Sequence, residues 1–89
     1  IEIMVVNNTI YNIRELSIYS KSLKDLKSND SISFKNFNFN SSIDDSVLSF
    51  SVNNKSFMSH IKFPKKKKKH YYSIDSLNLK NKVIFLKNR

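Results

Sequence analysis

Apolar side chains recur along this chain in two different rhythms, and the change of rhythm divides it into elements. Residues 1–6 (Ile-Glu-Ile-Met-Val-Val) are β-branched and compact, the profile of a strand buried on at least one face. Asn7-Asn8-Thr9 then offers short polar side chains that accept from the free N–H groups of a first helical turn. From residue 10 to residue 27 the spacing lengthens. Ile13, Leu16, Tyr19, Leu23 and Leu26 fall on one helical stripe, while Arg14, Lys21 and Asp25 occupy the other side. This predicts a helix over 10–27, from whose stripe Ile18 points away.

Ser28-Asn29-Asp30 closes that helix and opens a Ser/Asn-rich middle. Ile32 and Phe34 alternate, and Phe37 and Phe39 continue in the opposite phase, which places a bulge or break near Lys35-Asn36. Residues 40–45 read as a loop. Leu48, Phe50 and Val52 alternate with serines, which predicts a half-buried strand ending in an Asn53-Asn54 turn. Phe57, Ser59, Ile61 and Phe63 alternate with Met58, His60 and Lys62, so His60 belongs on an exposed side, and Pro64 stops the strand. Five lysines follow, then His70-Tyr71-Tyr72-Ser73-Ile74, and residues 83–86 form a short apolar run between Lys82 and Lys87. The pattern predicts an α+β fold in one small domain over 1–89. A strand and helix open it, and antiparallel strands and a basic hairpin follow.

Composition removes most enzyme readings. At 89 residues the chain makes one small domain with a thin core. It has no cysteine, so it has neither disulfides nor a Cys-based zinc site. His60 and His70 stand ten residues apart without a nearby carboxylate pair. Glycine is absent, which excludes Gly-rich phosphate loops, the dinucleotide fingerprint and the nucleophile elbow. Adjacent Asp44 and Asp45 would point to opposite faces of a strand and have no acid–base partner, so they read as polar loop. The expectation is a protein that is not an enzyme, with no cofactor, no metal and no small-molecule substrate. No stretch approaches the ~18–20 apolar residues of a membrane span.

The chain carries 14 Lys, 12 Asn and 10 Ile against 2 Arg, 1 Pro and no Ala. The first group has AT-rich codons, so the coding genome is AT-biased, as mitochondrial, plastid and some parasite genomes are, and every lysine argument is diluted by that bias. Position says more than number. Residues 1–45 hold five basic residues against six acids, whereas residues 46–89 hold ten lysines and Arg89 against Asp75 alone. The net +9 therefore lies wholly in the second half, as a surface facing nucleic acid or anionic lipid requires.

Lys65, Lys66, Lys67, Lys68 and Lys69 form the sharpest local signal. Adjacent ammonium groups repel, and phosphates relieve that repulsion while releasing counterions. A solvated basic loop and a nuclear localisation signal match the same run. His70, Tyr71 and Tyr72 adjoin it, where aromatics can stack unpaired bases while cations hold the backbone, or can simply pack into a sheet face. The residues assigned to RNA contact are Lys62, Lys65 to Lys69, His70, Tyr71, Tyr72, Lys80, Lys82, Lys87 and Arg89.

Ile61-Lys62-Phe63-Pro64, the lysines, and His70-Tyr71-Tyr72-Ser73-Ile74 resemble the central hairpin of the tenth small-subunit ribosomal protein family. Ser76-Leu77-Asn78 would stand at its tip, with Lys80 and Lys82 after it. The opening is similar too, a strand running into a helix with a polar start. The tip's Pro and His are absent, residues 31–56 would be an insertion, and the family's later helix and strand are missing. The resemblance covers roughly residues 1–27 and 61–82. It implies a compact α/β domain bearing a long RNA-contacting hairpin. The function expected is therefore that of a structural constituent of the mitochondrial small ribosomal subunit, with ribosomal RNA and neighbouring ribosomal proteins as partners. A plastid-like organelle or the cytoplasm is the alternative location. The rival class is an accessory or assembly subunit of an organellar membrane complex, resting its lysines near anionic lipid.

Overall fold

The computed structural model describes residues 2–35, 37–38, 45–62 and 69–88. The predicted break at Asn36, most of the 40–45 loop, the Phe63-Pro64 strand end, Lys65 to Lys68 and Arg89 lie outside them. Eight strands follow one another: β1 (Glu2–Asn7), β2 (Arg14–Ile18), β3 (Lys21–Ser22), β4 (Ser31–Phe34), β5 (Val47–Val52), β6 (Lys55–His60), β7 (Lys69–Asn78) and β8 (Val83–Asn88). They make two four-stranded sheets, ordered β4-β1-β7-β8 and β3-β2-β5-β6. Neighbours are antiparallel except β1 and β7, which run parallel with Ile3 opposite His70 and Val5 opposite Tyr72.

Alternation decides what faces inward. In β1 every second residue, Ile3, Val5 and Asn7, is buried, and in β5 the same holds for Leu48, Phe50 and Val52. These side chains join Ile13, Leu16 and Ile18 of the β2 segment, Phe57 of β6, and Tyr72 and Ile74 of β7 in one core shared by both sheets. Fully burying each such aliphatic side chain stabilises by about 1.5–3 kcal/mol. Phe50 and Phe57, opposite one another across β5 and β6, stack with ring centroids 5.5 Å apart. The predicted Asn53-Asn54 turn is there: both residues have positive φ (51° and 62°), the two-residue turn that matches strand twist. His60 is exposed, as its phase predicts.

The predicted α+β class is wrong, because the described residues contain no helix. Residues 10–27 form a β-hairpin instead. Its strand β2 carries a register shift between Arg14 and Ser17 in its pairing with β5, and Glu15 there has φ 54°. An extra residue in a strand stretches the inward spacing from two to three. Ile13, Leu16 and Ile18 are thus all buried, although Ile13 and Leu16 are spaced as on a helix. Tyr19 and Ser20, with φ 49° and 63°, turn the chain into β3. Leu26 returns to pair with Ile13 through hydrogen bonds of 2.8 and 2.9 Å. Of the stripe residues, Ile13, Leu16, Tyr19 and Leu26 are buried and Leu23 is half-buried, but by a bulged hairpin.

The expected helix cap serves a turn as well. Asn7 Oδ1 accepts from the Thr9 N–H (3.0 Å) and the Thr9 hydroxyl (2.6 Å), an Asx turn that ends β1. Its Nδ2 donates to the carbonyls of Tyr11 (2.8 Å) and Leu26 (3.1 Å), so the buried amide holds both limbs of the next hairpin. The strand-to-helix opening implied by the ribosomal resemblance is therefore absent. No helix among the described residues is long and apolar enough to cross a membrane.

Candidate nucleic-acid interface

The basic hairpin exists, but not where the sequence puts it. The strand before the lysine run, β6, belongs to the second sheet, and the strand after it, β7, belongs to the first. The two strands flanking the run therefore do not pair with one another as a hairpin. β7 pairs instead with β8, through a turn at residues 79–82 rather than at Ser76-Leu77-Asn78. At that turn the Asn81 N–H donates to Asn78 Oδ1 (3.1 Å) and Lys82 has φ 54°. Lys55, the first residue of β6, donates to the Leu79 carbonyl at 3.4 Å.

This hairpin carries a track of cations. Lys69 stands exposed at the start of β7, opposite Glu2 of β1. Lys87 lies opposite Ser73, and Lys80 and Lys82 are exposed at the turn. At ~3.3 Å per residue the track from Lys69 to the turn is about 30 Å long. Asp75, the sole acid of the chain's second half, sits at the register shift between Ile74 and Ser76. Its carboxylate accepts from the Ser73 hydroxyl and from Asn8 Nδ2 (3.2 Å), so local donors already hold it.

The two faces of the hairpin differ. Register with β1 places His70, Tyr72 and Ile74 on the core side with Ile3, Val5 and Asn7, and Tyr71 on the outer side with Met4. His70 is 6 % exposed and its Nε2 has no hydrogen-bond partner among the described residues, while Tyr72 is fully buried. Neither ring is available to a base, which corrects their assignment to RNA contact. The parallel partner strand fixes their phase.

Tyr72 has another task. Tyr19 donates its O–H to the carbonyl of Lys62 at 3.0 Å. A phenol has one hydrogen, so the close Tyr19–Tyr72 contact must be donated by Tyr72. The pair bridges the two sheets, and Phe37 meets the Tyr19 ring edge-on at 6.0 Å. Burial pushes both phenols above their ordinary pKa of 10.0. Lys62 itself is exposed, but it follows β6 and stands outside the β7–β8 track.

On β8, Ile84 and Leu86 pack against the core, which turns Val83, Phe85 and Lys87 outward. Phe85 is 54 % exposed, opposite Ser76. Sequence reasoning missed it because four consecutive apolar residues carry no alternation. The available signal was phase: Phe85 lies two residues from Lys87, which must face water. Comparison with family models, curated protein sequences and solved structures gives no significant match.

Proposed function

We propose that this chain is a structural, RNA-contacting protein that lays its β7–β8 hairpin along the phosphate backbone of a ribonucleoprotein. The observation that carries this reading is the alignment of the exposed Lys69, Lys87, Lys82 and Lys80 along one hairpin. Four ammonium groups in a row repel one another, and a line of phosphates is the counterpart that favours holding them there. Backbone contacts of this kind position a protein without reading sequence, as a structural constituent of a particle requires. The mitochondrial small ribosomal subunit, with its ribosomal RNA and neighbouring proteins, is the particle proposed from the sequence. The helix-bearing fold of the family it resembles supplies no support, so the reading rests on the charged hairpin.

The direct test is binding of the full chain to RNA as salt is varied between about 50 and 200 mM, where each neutralised phosphate contributes roughly 0.7–0.9 to the log–log slope. Four contacts give a slope of about −3. An affinity that does not change with salt overturns the reading. In intact particles, UV crosslinking should place RNA adducts on peptides from residues 69–88. Release by detergent rather than nuclease, with crosslinks to lipid, would assign the chain to a membrane complex instead.

A further inference from the structure

We propose that the outer face of the first sheet is a stacking platform for unpaired nucleotides, anchored on Phe85, so that the chain selects single-stranded over duplex RNA. This rests on the RNA-contact reading and narrows its ligand. Three observations carry it. First, Phe85 holds an aromatic ring more than half exposed on a sheet surface, with Val83 on the same side and 40 % exposed. Exposed apolar groups gathered on one face mark a binding surface.

Second, the surroundings of the ring suit a flat, anionic ligand. The same face carries Tyr71 and Met4 opposite one another, and the short side chains of Ser31, Ser33 and Ser76. Between the rows of Tyr71 and Phe85 stands Lys87, opposite Ser73. Five intervals along β7, one of them taken up by the register shift at Asp75, separate those rows by about 13–17 Å. An ammonium between two aromatic positions repeats the alternation of phosphate and base in a single strand. Stacking on such rings tolerates any base, because each has a π-face, and the cations hold the backbone.

Third, the same features argue against other occupants. Lysine is depleted in the buried centres of protein–protein interfaces, yet here it sits mid-patch. A duplex keeps its base faces stacked inside, so it could use Lys69, Lys80, Lys82 and Lys87 but would leave Phe85 in water.

The chain contains no tryptophan, so Phe85→Trp installs a single indole reporter at the site. Oligouridylate should quench that emission, and the duplex of equal length should not. Phe85→Ala, at an exposed position, should weaken oligouridylate binding about tenfold while leaving duplex affinity and the salt slope unchanged. Lys87→Gln should weaken both ligands and reduce the slope by about one. If both RNAs bind equally and Phe85→Ala alters neither, the platform is refuted and the backbone reading stands. If neither RNA binds in a salt-dependent way, the reading beneath it fails as well. Self-association that Phe85→Ala abolishes would assign the face to a second copy of the chain and refute the platform.

Discussion

The Tyr19–Tyr72 bridge makes an asymmetric prediction about two substitutions that look alike. Tyr72→Phe removes the donor to the Tyr19 oxygen but leaves the Tyr19 O–H on the Lys62 carbonyl. The loss is one hydrogen bond, about 1 kcal/mol. Tyr19→Phe keeps the ring against Phe37 but strands the Tyr72 O–H in the core and removes the bond to Lys62. Leaving a buried donor unsatisfied adds about 1–3 kcal/mol, so this change should cost about 2–3 kcal/mol in all. In a chain of this length that lowers Tm by about 10 °C or more. The double variant strands no phenol and should cost less than the sum of the two, with a coupling of about 1 kcal/mol. Urea denaturation followed by circular dichroism measures all three. Alkaline titration supplies an independent check. Both folded phenols are held protonated above the ordinary pKa of 10.0, so their contribution is complete below pH 10.0. Above it the unfolded chain ionises first, and stability falls by about 1.4 kcal/mol per pH unit per phenol. The double variant should lose that part of the alkaline decline. Equal costs for the two single variants, or strict additivity, would refute the assigned donor direction.

Two further predictions concern the backbone and its braces. Asn54→Gly should stabilise the protein by about 0.5–1 kcal/mol, because φ 62° costs glycine nothing and Asn53-Gly is a favoured two-residue turn; an unchanged or lower Tm would contradict the turn geometry. Asn7→Ala should destabilise by about 3 kcal/mol, since it removes the two bonds the buried amide donates to the carbonyls of Tyr11 and Leu26 and leaves the Thr9 N–H without its acceptor; a cost below about 1 kcal/mol in urea denaturation would show that the amide does not brace the hairpin.

What the sequence made legible was what neighbours in the chain decide. β5, β6 and the turn between them follow from strict alternation of Phe50, Val52 and Phe57 with polar residues, closed by two asparagines. β4 was legible for the same reason, and β1 as a compact β-branched run. The 10–27 hairpin was not, because a bulge at Glu15 and a tight turn at Tyr19-Ser20 imitate helical spacing, and no glycine marks either place. The candidate interface was legible in its charge and opaque in its geometry. Aromatic and apolar residues occupy both faces of 70–74, so their phase comes from β1, remote in sequence. Likewise Val83 to Leu86 offers no polar residue to mark which side faces water.

The parallel pairing of β1 with β7 also sets an order of events in time. Partners such as Ile3 and His70 are 67 residues apart, whereas β5 and β6 are joined by two. Closing the longer loop costs about 2–3 kcal/mol more chain entropy than closing a tight turn. The β5–β6 hairpin should therefore form early and the β1–β7 ladder late, and pulse-labelled hydrogen exchange should protect β6 amides before those of β1. During synthesis at roughly 5–20 residues per second, β1 waits about 3–13 s for β7 to be made. β4 covers one edge sooner, but the other edge of an Ile-Met-Val-Val strand stays open throughout that interval. An open edge of that composition is a template for pairing with another chain. The strand that centres the finished sheet is thus the nascent chain's main aggregation hazard.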